Sequence, residues 1–82
     1  MGAKVTIIYC TSWGYIGRAV ALADKVLSEH KNVIEELILK PSAGGVFEIS
    51  VNDKEVFSKL LEDRFPGIGE AEFLIRNEIE GY

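Results

Sequence analysis

The apolar positions of this chain change period twice. Lys4-Val-Thr-Ile-Ile-Tyr9 is a short run of β-branched and aromatic residues without turn formers, and it predicts a buried first strand. From Ile16 the spacing becomes helical. Ile16, Ala19, Val20, Ala23, Val26, Leu27 and His30 recur every three or four positions and form one stripe, predicted to face the core. Arg18, Asp24, Lys25, Ser28 and Glu29 fall mostly off it. Asn32 is a stop signal, and Val33 to Lys40, rich in Ile and Leu, predicts a second strand.

Pro41-Ser42-Ala43-Gly44-Gly45 is the clearest loop. Alternation at Phe47, Ile49 and Val51 predicts a third strand. Asn52-Asp53 is a two-residue hairpin signal, so Glu55 to about Leu60 is the returning fourth strand. Leu61 to Gly69, with Phe65-Pro66-Gly67, reads as a loop. A second helix is expected from Glu70 to Ile79, with Ala71, Leu74, Ile75 and Ile79 inward. The order is β-α-β-β-β-α, which predicts an α/β fold with a four-stranded mixed sheet and two helices. The right-handed crossover rule sets the first helix on one sheet face, and the second must cover remaining apolar surface.

Length and charge narrow the function. At 82 residues the chain is expected to be one domain, residues 1–82, with a modest core. A formal net charge of -4 argues against a nucleic-acid partner, whose phosphates need Lys and Arg. No apolar stretch approaches the ~20 residues of a membrane span, and the start lacks the pattern of a secretory signal. The expectation is a cytoplasmic protein with no membrane association. One cysteine and one histidine, His30, cannot build a zinc site or a disulfide framework, so neither metal nor cofactor is expected.

The candidate chemistry lies at Cys10, where the first strand hands over to the first helix. A thiol there lies beside unpaired N–H groups and the positive end of a helix dipole. Both favour the thiolate, the reactive form. The alternative is a small buried hydrophobe at a strand end. Thr11, Ser12 and Gly14 complete the loop. Gly44 and Gly45 precede a strand and allow close backbone approach, so this loop is expected to come near Cys10. Trp13 stands three residues after Cys10 and cannot form a disulfide. Gly14-x-x-Gly17 also has a weak dinucleotide look, but 82 residues leave room for only half of such a fold. His30 reads as a capping or packing histidine. Arg18 reads as solvated, or as a holder of an anionic sulfur or a glutathione carboxylate. Glu35, Glu36, Glu70, Glu72, Glu78 and Glu80 read as solvated faces.

Together these residues resemble a family. Val5 to Tyr9 leads into Cys10-x-x-Trp13-Gly14-Tyr15 and then Arg18-Ala19. Leu39-Lys40-Pro41-Ser42-x-Gly44-Gly45-Val46-Phe47-Glu48-Ile49 follows, then Arg64-Phe65-Pro66 and Ile75-Arg76. The order and spacing resemble the selenoprotein W-like (Rdx) group of thioredoxin-like redox proteins over nearly the whole chain. The resemblance implies a thioredoxin-like fold and a thiol or selenol oxidoreductase in cell redox homeostasis. It also implies a mixed-disulfide intermediate, with glutathione or protein thiols as redox partners and a protein partner at the Cys10–Tyr15 loop. The family motif is C-x-x-C or C-x-x-U, where U is selenocysteine. Cys10 matches its first member, and Trp13 occupies the position of the second. The codon for residue 13 distinguishes a native Trp from a recoded selenocysteine. With one sulfur in the motif, this chain can form a mixed disulfide or a sulfenic acid, but no bond between the two motif positions. The contrasting reading is a non-catalytic interaction module in which Trp13 and Tyr15 are docking aromatics.

Overall fold

Strand β1 (Ala3–Cys10) becomes the inner strand because it satisfies both of its edges. On one side it pairs in parallel with β2 (Ile34–Ser42), with Ile7 opposite Leu39. On the other it pairs antiparallel with β3 (Phe47–Val51), with Ile7 opposite Ile49. The hairpin partner of β3 is β4 (Lys54–Ser58), so the sheet order is β2-β1-β3-β4. The parallel pair is spanned by helix α1 (Tyr15–Glu29), as a βαβ crossover requires. Helix α3 (Glu70–Glu80) ends the fold, and a single turn, α2 (Lys59–Glu62), precedes it. This is the computed structural model of the chain, describing residues 2–81. The expected α/β mixed sheet forms, with one short helix more than expected.

Strand alternation sorts the two sheet faces. Ala3, Val5 and Ile7 are buried, while Lys4, Thr6 and Ile8 on the opposite face are only partly covered. Val5, Ile7, Ile49 and Val51 pack with Ala19, Leu22 and Val26 of α1 and with Ala71 and Ile75 of α3 in one core. Both long helices therefore share one face and touch each other. Each large aliphatic side chain so buried contributes about 1.5–3 kcal/mol relative to exposure. The architecture is two layers, with the other sheet face left open. Hairpin Asn52–Asp53 forms as predicted. Both residues have positive φ, 51° and 69°, as a type I′ turn needs. The Asn52 side chain also accepts a hydrogen bond from the Lys4 amide at 2.9 Å.

Three expectations need correction. First, Ile16, Val20 and Leu27 are exposed, and α1 instead buries Tyr15, Ala19, Leu22, Ala23 and Val26. The apolar arc of α1 is wider than the surface it covers, because α3 takes the adjoining half of the sheet. Second, β2 runs on through Pro41 to Ser42. It is an edge strand, where a missing N–H is tolerated. Third, β4 stops at Ser58 rather than near Leu60. Ser58 accepts from the Leu61 amide and caps α2, turning the chain into a helix. His30 behaves as expected. Its side chain is buried, and its backbone N–H donates to the Val26 carbonyl at the end of α1.

Candidate functional site

Two backbone hydrogen bonds anchor the end of β1. The Cys10 amide donates to the Val46 carbonyl at 2.9 Å, and the Thr11 amide to the Ser42 carbonyl at 3.1 Å. Cys10 is thereby fixed between the ends of its two neighbouring strands, and only 2% of its surface is exposed. The chain then turns through Ser12, Trp13 and Gly14 into α1. Trp13 and Gly14 both take left-handed conformations, φ 58° and 78°. Gly14 is the N-cap position and offers no side chain to the helix.

The Cys10 thiol is held below its ordinary pKa. The largest cause is the nearby Ser12 amide, a donor that favours negative charge on the sulfur. The Gly45 amide, the Ser12 hydroxyl and the positive charge of Lys59 act in the same direction, and burial opposes them. These donors favour the charged sulfur because each interacts more strongly with a thiolate than with a thiol. They differ from the helix N–H groups expected at this junction. The Tyr15 amide at the helix start is directed to the Ser12 carbonyl, at 3.4 Å.

The structure brings together most of the predicted loop residues. Ser12 and Gly45 lie near enough to Cys10 to lower its pKa. Gly44 and Gly45 hold φ 78° and 72°, left-handed conformations that glycine adopts freely in the turn before β3. A Cβ at Gly45 would lie 3.7 Å from the Tyr15 hydroxyl oxygen, whereas one at Gly44 or Gly14 would meet open space. Thr11 and Gly14 are exposed turn residues. Trp13 projects outward with 81% exposure, its ring centroid 6.3 Å from that of Tyr15.

Sequence reasoning missed an aromatic wall beside this loop. Buried Tyr15 meets the Phe65 ring edge-on at 4.8 Å, and Phe65 meets Phe47 at 5.5 Å. Arg18 stacks on Phe65, with its guanidinium carbon 3.9 Å from the ring centroid, and Lys59 Nζ lies 5.4 Å from the same centroid. Phe65 is held by its neighbour. Arg64 forks onto both carboxylate oxygens of Glu70 at 2.7 and 3.0 Å, and Glu70 also accepts from the Gly67 amide at 2.8 Å. That clasp lowers the Glu70 pKa to about 2. Glu70, Glu72 and Glu78 are therefore ion-paired, with Arg64, Lys25 and Lys54, rather than simply solvated. Glu48 accepts from the Ser58 hydroxyl and the Leu60 amide, fixing the turn that carries Lys59. A signal for α2 was present in Ser58 followed by the helix formers Lys-Leu-Leu-Glu. Nothing local marked Phe65 as a neighbour of Tyr15.

Among the described residues no group of three or more His, Cys, Asp or Glu side chains is arranged to hold a metal ion. No helix there is long and apolar enough to cross a membrane. The antiparallel half of the sheet also differs from the parallel sheet of a dinucleotide fold.

A mixed sheet carrying a thiol at its strand-to-helix turn is a thioredoxin-like arrangement, and comparison with known proteins narrows it. The chain belongs to the Rdx family, which matches residues 4–77. It is similar to the crystal structure of a selenoprotein W-related protein from Vibrio cholerae. The identity is 28% over 96% of this chain and 99% of that one, with a TM-score of 0.87. A protein of known structure from Bordetella parapertussis is 27% identical over 95% of this chain and 99% of that one, with a TM-score of 0.86. A thioredoxin-like protein from Bacillus cereus shares the fold at a TM-score of 0.52 and 21% identity, over 99% of this chain and 90% of that one. No curated protein sequence matches the chain.

Proposed function

We propose that this protein is a thiol redox protein that acts through Cys10 alone, exchanging with glutathione disulfide or with protein disulfides in the cytoplasm. The observation that carries the reading is the set of donors around one sulfur. Two loop amides, a hydroxyl and a lysine favour the charged form of Cys10. A thiolate is the species that attacks a disulfide.

The exchange is balanced without any further reactant. The Cys10 thiolate attacks one sulfur of a disulfide, a new S–S bond forms to Cys10, and the other half leaves as a thiolate. Cys10 is oxidised and the leaving sulfur reduced. With Trp13 in the second motif position, a second external thiol must attack the mixed disulfide to return Cys10 to its thiolate. A cysteine or selenocysteine at position 13 would make that step internal. Ser12 and Gly45 hold charge on the sulfur in both half-reactions. Membership of the Rdx family supports redox chemistry as the class.

Treatment of the folded protein with glutathione disulfide tests this reading. Intact-mass analysis is expected to show one glutathione adduct, absent from Cys10→Ser and removed by reduced glutathione. A folded protein that gains no adduct under conditions that label free cysteine contradicts the reading. The exposure of Trp13 favours a second function, docking of a protein partner at the same loop. Retention of a partner by Cys10→Ser and its loss in Trp13→Ala would support that function instead.

A further inference from the structure

Phe65 carries two cations on its ring, and neither has a carboxylate partner among the described residues. The Arg18 guanidinium carbon lies 3.9 Å from the ring centroid and Lys59 Nζ 5.4 Å. Among the described residues neither forms an ion pair, although Lys25 on the same helix as Arg18 pairs with Glu72, and Arg64 beside Phe65 pairs with Glu70. Carboxylates are not scarce, since the chain has 13 acidic residues against 9 basic ones. Lys31 and Lys40 also lack an ion pair among the described residues, but only Arg18 and Lys59 share a ring.

That ring is coupled to the nucleophile by a short series of contacts. Phe65 packs edge-on against Tyr15. The Tyr15 hydroxyl lies beside Gly45, and Gly45 and Lys59 are both near enough to lower the pKa of Cys10. Beyond Arg18 opens a cleft of about 290 Å³ between α1 and the 66–69 segment, with Phe47 and Leu22 among its lining residues. The cleft is at the small end of ligand sites, suited to one arm of a small molecule. Stacking on Phe65 occupies the guanidinium face of Arg18 and leaves its N–H edges for a carboxylate, which a planar fork binds bidentately.

We propose that Arg18 and Lys59, held on Phe65, form an anion subsite that selects small disulfides bearing a carboxylate close to the sulfur. This rests on Cys10 being the nucleophile. The carboxylate arm would engage Arg18 while the disulfide reaches Cys10. The Cys10 thiolate then forms the new S–S bond, and the second half of the ligand leaves as a thiolate.

Three aliphatic disulfides of similar size separate charge selection from reactivity: dianionic dithiodipropionate, neutral hydroxyethyl disulfide and cationic cystamine. In the folded protein the dianion is expected to react fastest relative to its rate with free cysteine. Arg18→Gln should slow the dianion by about two- to fivefold, the range of an exposed charge pair, and leave the neutral reagent unchanged. Lys59→Gln should also reduce the ratio of dianion to neutral rates, and added salt should do so in the unmodified protein. Cys10→Ser removes the chemistry, and NMR titration of that variant with dithiodipropionate is expected to shift the Arg18 side-chain resonances. Equal slowing of all three reagents in Arg18→Gln, or no shift at Arg18, overturns the subsite. A thiol inert to all three reagents, with the Arg18 shift intact, would overturn the redox reading and still support the subsite.

Discussion

Gly45 lies in a turn far along the chain that β3 brings beside the end of β1, where its amide helps to lower the pKa of the Cys10 thiol. That placement depends on backbone that only glycine adopts freely, with φ 72° at Gly45 and 78° at Gly44. The two glycines are therefore separable by substitution. Gly44→Ala meets open space and is expected to cost about 1–2 kcal/mol of stability through its φ alone, with the thiol pKa unchanged. Gly45→Ala makes only ordinary contact with the Tyr15 hydroxyl but carries a similar backbone cost at the residue whose own amide acts on the sulfur, so relaxation of that φ turns the amide away and the thiol pKa should rise. Alkylation rates against pH, with denaturant melts, check both.

Glu70 gives the fold an acid-sensitive clasp. Its carboxyl is held at about 2, chiefly by the Arg64 hydrogen bonds and then by the Gly67 amide, against an ordinary 4.5. A depressed folded-state pKa means the unfolded chain binds the proton first as pH falls. The contribution is complete above about 4.5 and is lost as pH falls through about 2. Glu70→Gln should therefore be less stable than the parent near neutral pH, with the difference shrinking below pH 4. Urea melts at pH 7 and pH 3 measure this.

Ile49 sits opposite Ile7 at the centre of the sheet, and neither side chain is exposed. Ile49→Ala is expected to cost about 2–5 kcal/mol, the range for a large aliphatic residue truncated in a packed core. Equilibrium urea unfolding gives the value directly.

Trp13 is outside the packed structure, and its removal should leave the core intact. Trp13→Ala is expected to change stability by no more than about 0.5 kcal/mol. Its thiol pKa should match the parent, because Trp13 contributes no donor to the sulfur. A large shift in either quantity would mean that the indole helps to shape the loop around Cys10.

The limits of the sequence reading are physical. Strand β1, the Asn52–Asp53 turn and the inward face of α3 follow from local period and turn chemistry, and all were legible. The rotation of α1 was not, because its apolar arc runs from Tyr15 through Ile16, Val20 and Leu27, wider than the buried arc. Only the docking of α3 on the same face decides which part is covered. At the site, the glycine pair before β3 signalled close approach. Lys59 was read as strand and Phe65 as loop, since their role depends on contacts with Tyr15 and Arg18 that no local pattern encodes.

The ionisation of Cys10 in the folded protein is the most direct test of the account. The rate of alkylation by iodoacetamide, followed from acid to alkaline pH, reports the thiolate fraction. The predicted midpoint lies below the ~8.5 of free cysteine, and Ser12→Ala should move it upward. A midpoint at or above that value, or a thiol that reacts only once the protein unfolds, would contradict a redox role for Cys10.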